Sequence, residues 1–225
     1  AISNNSYTFT VQTVDNAGNS SVSACSGSIF IDILPPADAT ALGWTETSPH
    51  SGSTLTANWT PSADADLASQ SIQFYSDGTC TTPFGSSVAL AAAVATRTLS
   101  GVTNTNTYSY KVSSTDTASN SSTSPCSSSV TIDTAAPAGA TALAWVESTP
   151  YAGLSVNAGW TSSATGDEAS ETIRVYENDA SCSAAAFDTS VLAAGTGAYN
   201  FTTGSSGNTY YFKVTTADAA GNTQV

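Results

Sequence analysis

Short runs in which apolar and polar residues alternate, separated by clusters of Ser, Thr, Asn, Gly and Pro, recur along the whole chain. A period of two marks a strand with one buried face. Between residues 33 and 133 such runs fall at 41–44, 54–59, 71–75, 87–90, 96–99, 107–113 and 127–132. In the run at 107–113, Tyr108, Tyr110 and Val112 share one face because side chains alternate across a strand, and Ser109 and Lys111 point away. No stretch carries a helical period. Several short strands bounded by turn signals predict an all-β fold of two packed sheets.

The pattern repeats. Pro36 to Trp44 reads PADATALGW and Pro137 to Trp145 reads PAGATALAW, a shift of 101 residues. Ala57-Asn58-Trp59-Thr60 matches Ala158-Gly159-Trp160-Thr161 at the same shift, and Phe74-Tyr75 matches Val175-Tyr176. The run at 108–112 occurs three times, at 7–11, 108–112 and 210–214, each followed by an Asp and an Asn four residues apart: Asp15 and Asn19, Asp116 and Asn120, Asp218 and Asn222. A period near 100 residues is a whole small domain, not a solenoid unit. The chain therefore divides into the last strands of one module (1–32), a complete module (33–133) and a further module without its last strand (134–225). It opens inside a strand pattern with no leader-like segment, which reads as a piece of something longer.

Charge narrows the function. Four basic residues stand against 17 acidic ones, a net charge of −13. Nucleic acid and anionic membrane surfaces both ask for clustered Lys and Arg, so neither is an expected partner. The longest apolar run, 88–94, is too short to cross a bilayer, so no membrane insertion is expected either. With 40% hydrophobic residues the chain has the material for a folded core.

Tyr-x-(Phe/Tyr)-x-Val followed by Asp-x-Ala-(Gly/Ser)-Asn, one Trp in the second strand, and the joint Ile132-Asp-Thr-Ala-Ala-Pro137 resemble the tandem immunoglobulin-like and fibronectin type III-like modules of large bacterial surface adhesins. The resemblance covers the whole chain. It implies tandem β-sandwiches in an elongated array, secreted or displayed at the cell surface. It also implies a structural or adhesive protein built into a rod or filament, with neighbouring modules or subunits, or a surface or glycan ligand, as partners. The alternative is a spacer or carbohydrate-binding array of a secreted multidomain hydrolase, which would need exposed aromatic platforms; Trp44 and Trp145 are the candidates for partial exposure. The resemblance supplies no catalytic set, and no enzymatic activity is expected. His50, the single histidine, lies in a Ser-Pro-His-Ser-Gly turn and is replaced by Tyr151 in the next repeat.

The four cysteines follow the repeat: Cys25 maps to Cys126 and Cys80 to Cys182. Pairing of Cys80 with Cys126 leaves Cys25 and Cys182 with partners outside the chain, and a paired count fits an oxidising compartment. The pairs Cys25–Cys80 and Cys126–Cys182 remain open, as do unpaired thiols. One difficulty attaches to the first scheme. The strands nearest to Cys80 and Cys126 lie at opposite edges of a fibronectin-like sheet, whereas a disulfide needs Cα atoms within roughly 7 Å.

In a fibronectin-like sandwich the loop after the second strand, the loop after the sixth and the start of the first share the end that faces the preceding module. Those places hold Asp64, Asp66, Asp116, Asn120 and Asp32 in one module, and Asp167, Glu168, Asp218, Asn222 and Asp133 in the next. Carboxylates gathered this way suit calcium, which takes six to eight oxygen ligands, so Asp32, Asp66, Asp116 and Asn120, with Asp133, Asp167, Asp218 and Asn222, are the candidate ligands. The competing role for each Asp is to cap a turn.

Overall fold

A computed structural model describes residues 5–225. Its described residues form nineteen strands and no helix. The first four strands, β1 (Asn5–Tyr7), β2 (Gln12–Val14), β3 (Ser20–Val22) and β4 (Ile29–Ile31), make two antiparallel pairs, β1 with β4 and β2 with β3. Eight strands follow: β5 (Thr40–Trp44), β6 (Thr54–Thr60), β7 (Leu67–Tyr75), β8 (Pro83–Ala91), β9 (Thr96–Ser100), β10 (Thr107–Asp116), β11 (Ser121–Thr123) and β12 (Val130–Thr131). They form one sheet in the order β5-β6-β9 and a second in the order β11-β10-β7-β8, with β12 also paired to β10.

The last seven strands are β13 (Thr141–Trp145), β14 (Val156–Thr161), β15 (Glu168–Glu177), β16 (Asp188–Ala193), β17 (Ala198–Phe201), β18 (Tyr210–Asp218) and β19 (Thr223–Gln224). They repeat the plan as β13-β14-β17 and β16-β15-β18-β19. Contacts divide the chain into two compact units. One runs to Thr45 and adds Thr56–Leu99 and Tyr108–Ser129; the other comprises Glu46–Leu55, Ser100–Thr107 and Val130–Val225.

Alternation places the core. Every second residue is buried in β6, in β10 and, from Gln70 onward, in β7, as a strand with one covered face requires. In the first unit Tyr110 is the centre of an aromatic group. Trp44 meets it edge-on at 5.0 Å, and Trp59 and Phe74 meet it at 6.2 and 6.1 Å with their rings inclined. The Tyr110 hydroxyl donates to the carbonyls of Gly43 and Asn58 and accepts from the Gly43 N–H, and burial pushes its phenol up to about 12. In the second unit Ala158, Trp160, Ile173, Val175, Phe201 and Val214 form the buried cluster.

Beneath each core Trp of the β6 or β14 strand lies a buried polar side chain, and the two repeats differ there. Trp59 Nε1 donates to Gln70 Oε1 at 2.9 Å, and the Gln70 amide donates onward to the carbonyls of Ala92 and Val94. Trp160 Nε1 donates to Glu171 Oε1 at 2.8 Å, and the other carboxylate oxygen accepts the N–H of Gly197. The loop after β8 thus offers carbonyls to an amide, and the loop after β16 offers an N–H to a carboxylate. Gly197 can do so because it sits at a φ of 64°, which an L side chain rarely adopts.

Three local features depart from simple alternation. Ser109, expected to point away from the core, is buried, because the loop between β7 and β8 folds over it and Ser109 Oγ donates to Asp77 O at 2.6 Å. The strand expected at 127–132 shrinks to β12, and the short β11 precedes it. Between the two, the Ser124 and Ser127 hydroxyls accept the N–H groups of Val112 and Tyr110 in place of backbone carbonyls. Ala41 and Ala142 take φ values of 52° and 53° at a register shift in β5 and β13, a bulge that re-aims each following Trp.

Candidate functional site

The Asp-x-Ala-x-Asn loops fold alike in all three copies. Asp116 Oδ1 accepts the N–H groups of Ala118 and Asn120, and Oδ2 accepts Asn120 Nδ2. Asp15 is held in the same way by Ala17 and Asn19, and Asp218 by Asn222. In the last two repeats the Asn side chain makes one more bond, from Asn120 Nδ2 to Asp32 O at 3.3 Å and from Asn222 Nδ2 to Asp133 O at 2.9 Å. Each Asn therefore ties its loop to the segment that leads into its own sandwich.

These bonds gather the acids. One carboxylate oxygen from each of Asp32, Asp66 and Asp116 lies within 4.8 Å of the others, and Asp133, Asp167 and Asp218 form the same group. Asp116 and Asp218 are 3% and 5% exposed, Asp32 and Asp133 are half-buried, and Asp66 and Asp167 face solvent. The eight candidate ligands thus fall in two clusters, six through carboxylates and two, Asn120 and Asn222, through the bond to the leading segment. Asp64 is occupied elsewhere, since its Oδ2 accepts the Ala37 N–H at 2.6 Å and the Ser62 hydroxyl. The donors are hard oxygens without His or Cys, a set that fits calcium or magnesium and not zinc. An open cleft of about 500 Å³ beside Asp32 and Asp66 admits a hydrated ion.

Burial works to raise the Asp116 carboxyl, but the Asn120 side chain and the N–H groups of Asn120, Ala118 and Ser119 outweigh it and hold it below the ordinary value. In Asp77, likewise, burial opposes and the N–H groups of Thr79, Thr82 and Thr81 prevail. Asp179 comes down to about 2, chiefly through the Ala184 N–H and the Ser181 hydroxyl. A carboxyl depressed by folding stabilises the native state above its unfolded pKa of 3.8, and that contribution is lost as pH falls through the folded value. Glu168 has the opposite sign, since burial and then the Glu171 charge raise it above 4.5, so its protonation in acid relieves the fold. Asp15, held by Asn19, and Glu147, held by Asn157, are lowered as well, so five lowered carboxyls against one raised predict a net loss in acid. The urea midpoint is expected to hold from about pH 7 to about pH 4 and to drop by about pH 2.5; an unchanged midpoint contradicts this sign.

Cys80 and Cys126 are joined, with Cα atoms 5.8 Å apart. The expected difficulty of reach disappears because Cys80 lies in the loop between β7 and β8, not in β8. Asp77 accepts the N–H groups of Thr79, Thr81 and Thr82 and carries that loop over Ser109 towards Cys126. The bond rules out Cys25–Cys80 and Cys126–Cys182. Cys25 is exposed and Cys182 half-buried, both as thiols. Sequence reading passed over the Asp77 and Asp179 loops, although an Asp three residues before a Cys recurs in both repeats.

Trp44 and Trp145 form no exposed platform. Trp44 Nε1 donates to Ser128 O and Trp145 Nε1 to Tyr210 O, and both rings pack on aromatic neighbours. His50 uses its backbone, donating to Thr131 O and accepting from Asp133 N.

No protein-family model matches the sequence, and no curated protein does. Among solved structures, the chain is similar to the crystal structure of chicken CNTN1 FN1–FN3 domains, at 14% identity and a TM-score of 0.50, over 98% of this chain and 74% of that one. The likeness concerns the fold: this chain is built of fibronectin type III-like β-sandwiches.

Proposed function

We propose that the chain is a non-catalytic stretch of an extracellular, bacterial surface protein in which repeated sandwiches give length and carry adhesion, assembled as a rod or filament. The observation that carries the reading is that the sandwich plan recurs with the same core Trp, the same Asp–Asn clasp and the same cysteine positions. A closed disulfide supports an oxidising compartment. Antibodies raised against the chain are expected to label intact cells of its source; labelling only after lysis sinks the surface reading.

The two acidic clusters are proposed to hold calcium, with Asp32, Asp66 and Asp116 in one and Asp133, Asp167 and Asp218 in the other. The ion would neutralise three like charges and link the Asp–Asn loop to the leading segment. Extracellular modules bind calcium at about 10⁻⁴–10⁻³ M, so about 10 mM should add about 1.5–3 kcal/mol. Calorimetry is expected to show a calcium-dependent rise in Tm that Asp66→Asn and Asp167→Asn together abolish. Equal Tm with and without calcium assigns the aspartates to turn capping alone.

A further inference from the structure

Arg174 of β15 and Lys213 of β18 stand directly opposite each other in the ladder. Like charges so placed repel. The two are half of the four basic residues in a chain of net charge −13, so their meeting is no by-product of a basic surface. Both lie on the face turned away from the core, because Ile173 and Val175 on either side of Arg174, and Val214 next to Lys213, are buried. The row continues onto β16 as Thr189, opposite Arg174, and the neighbouring row is Val191, Thr172 and Thr215.

Neutral partners hold the two heads in place. Lys213 Nζ donates to the Cys182 carbonyl at 3.1 Å and lies 5.4 Å from the centre of the Tyr176 ring, and Arg174 Nη1 donates to Thr215 Oγ1 at 3.3 Å. Most of the guanidinium and ammonium N–H groups are left to donate elsewhere. No carboxylate among the described residues pairs with either head. Glu171 accepts from Trp160 and Gly197, Glu177 from Asn208 and Tyr210, and Asp188 from Tyr199. Asp179 is closed by the N–H groups of its own loop.

The first full repeat has the lysine and not the arginine. Gln73 stands opposite Lys111, and its amide donates to the carbonyls of Phe74 and Gly85, which closes it on its own sheet. Lys111, beside a full set of strands, is half-buried as Lys213 is, so the exposure belongs to the sheet face itself. What distinguishes the second repeat is a second cation where an amide would satisfy the fold.

We propose that the outer face of β16, β15 and β18 binds an acidic polysaccharide through its uronate groups, one sugar carboxylate lying between Arg174 and Lys213. A carboxylate there replaces the repulsion of the two cations by two attractions, and the guanidinium fork takes both of its oxygens in parallel bonds. Thr172, Thr189 and Thr215 surround the pair with hydroxyls that both donate and accept, which suits sugar hydroxyls. Three strands about 4.8 Å apart make a flat polar strip about 10 Å wide, with Val191 as its one large apolar side chain. Such a strip fits an extended polymer better than a peptide, whose binding rests on apolar anchors in pockets. The site gives the adhesive part of the proposed function a ligand, and its chemistry stands whether or not the chain is displayed on a cell.

The test titrates the 225-residue chain with oligogalacturonate in calcium-free buffer, so that the acidic clusters take no part, and follows amide resonances. Those of Thr172, Arg174, Lys213 and Thr215 are expected to move together and those of Gln73 and Lys111 to stay. The methyl ester, which has the same sugars without the charge, is expected to bind at least about tenfold more weakly, and added salt to weaken the acid form. Arg174→Gln installs the residue that the first repeat carries at this place and leaves the core face untouched; it is expected to lose at least about tenfold in affinity at an unchanged Tm. Lys213→Gln gives an independent second reading of the same loss. No movement at the four residues, equal binding of the methyl ester, tighter binding of polyglutamate than of oligogalacturonate, or full affinity in both variants overturns the proposal. Because the titration uses purified protein, its failure leaves the surface reading to the intact-cell labelling.

Discussion

A Gln70→Glu chain is expected to lose about 3–5 kcal/mol of stability at neutral pH, the range for a buried charge stripped of its partners. Gln70 donates to the carbonyls of Ala92 and Val94, and a carboxylate would turn negative oxygens on both while keeping only the Trp59 N–H. Its folded pKa must then lie above the unfolded value of about 4.3, so the loss should shrink as pH falls and the protonated acid regains one donor. The reverse change, Glu171→Gln, is expected to cost about 1–3 kcal/mol, because an amide that accepts from Trp160 turns its NH₂ towards the N–H of Gly197. Urea denaturation at about pH 7 and about pH 4.5 reads both. Equal and small effects in the two repeats would show that loop polarity does not select the residue.

Replacing Cys80 and Cys126 together by Ser should cost about 4 kcal/mol, the loop-closure value for cysteines 46 residues apart. The effect should be as large as that of any core truncation, because the bond closes a loop that includes β8, β9 and β10. Calorimetry of the double variant against the oxidised parent measures it. A loss under about 1 kcal/mol would mean that the Asp77 loop, with its N–H bonds from Thr79, Thr81 and Thr82, already fixes Cys80 without the bond.

Much of the fold could be read from alternation. The runs around Trp59, Phe74 and Tyr110 are strands as expected, and Tyr108, Tyr110 and Val112 share the buried face expected of them, since burial on one side leaves a period of two in the residue types. What escaped was decided by contacts distant in sequence. Ser109 is buried by a loop that alternation in its own strand cannot report, and the break between β11 and β12 depends on serine hydroxyls replacing carbonyls. The clustered aspartates were legible because the repeat lines them up at fixed offsets. The clasp by Asn120 and Asn222 onto a carbonyl was not, since a backbone acceptor leaves no mark in composition. Gln70 and Glu171 look interchangeable in sequence, and only the loops facing them give each its reason.

That difference also bears on how a repetitive chain avoids folding wrongly. Neighbouring sandwiches of similar sequence are prone to exchange strands during folding. If β15 were to pair in the place of β7, Glu171 would meet the Ala92 and Val94 carbonyls; in the opposite error Gln70 would meet the N–H of Gly197. Both hybrids carry an unsatisfied polar contact at the centre of a core, and both are disfavoured before the surface has formed. One side chain that differs between otherwise matching strands thus acts as a proofreading mark, directing each strand back to its own sandwich.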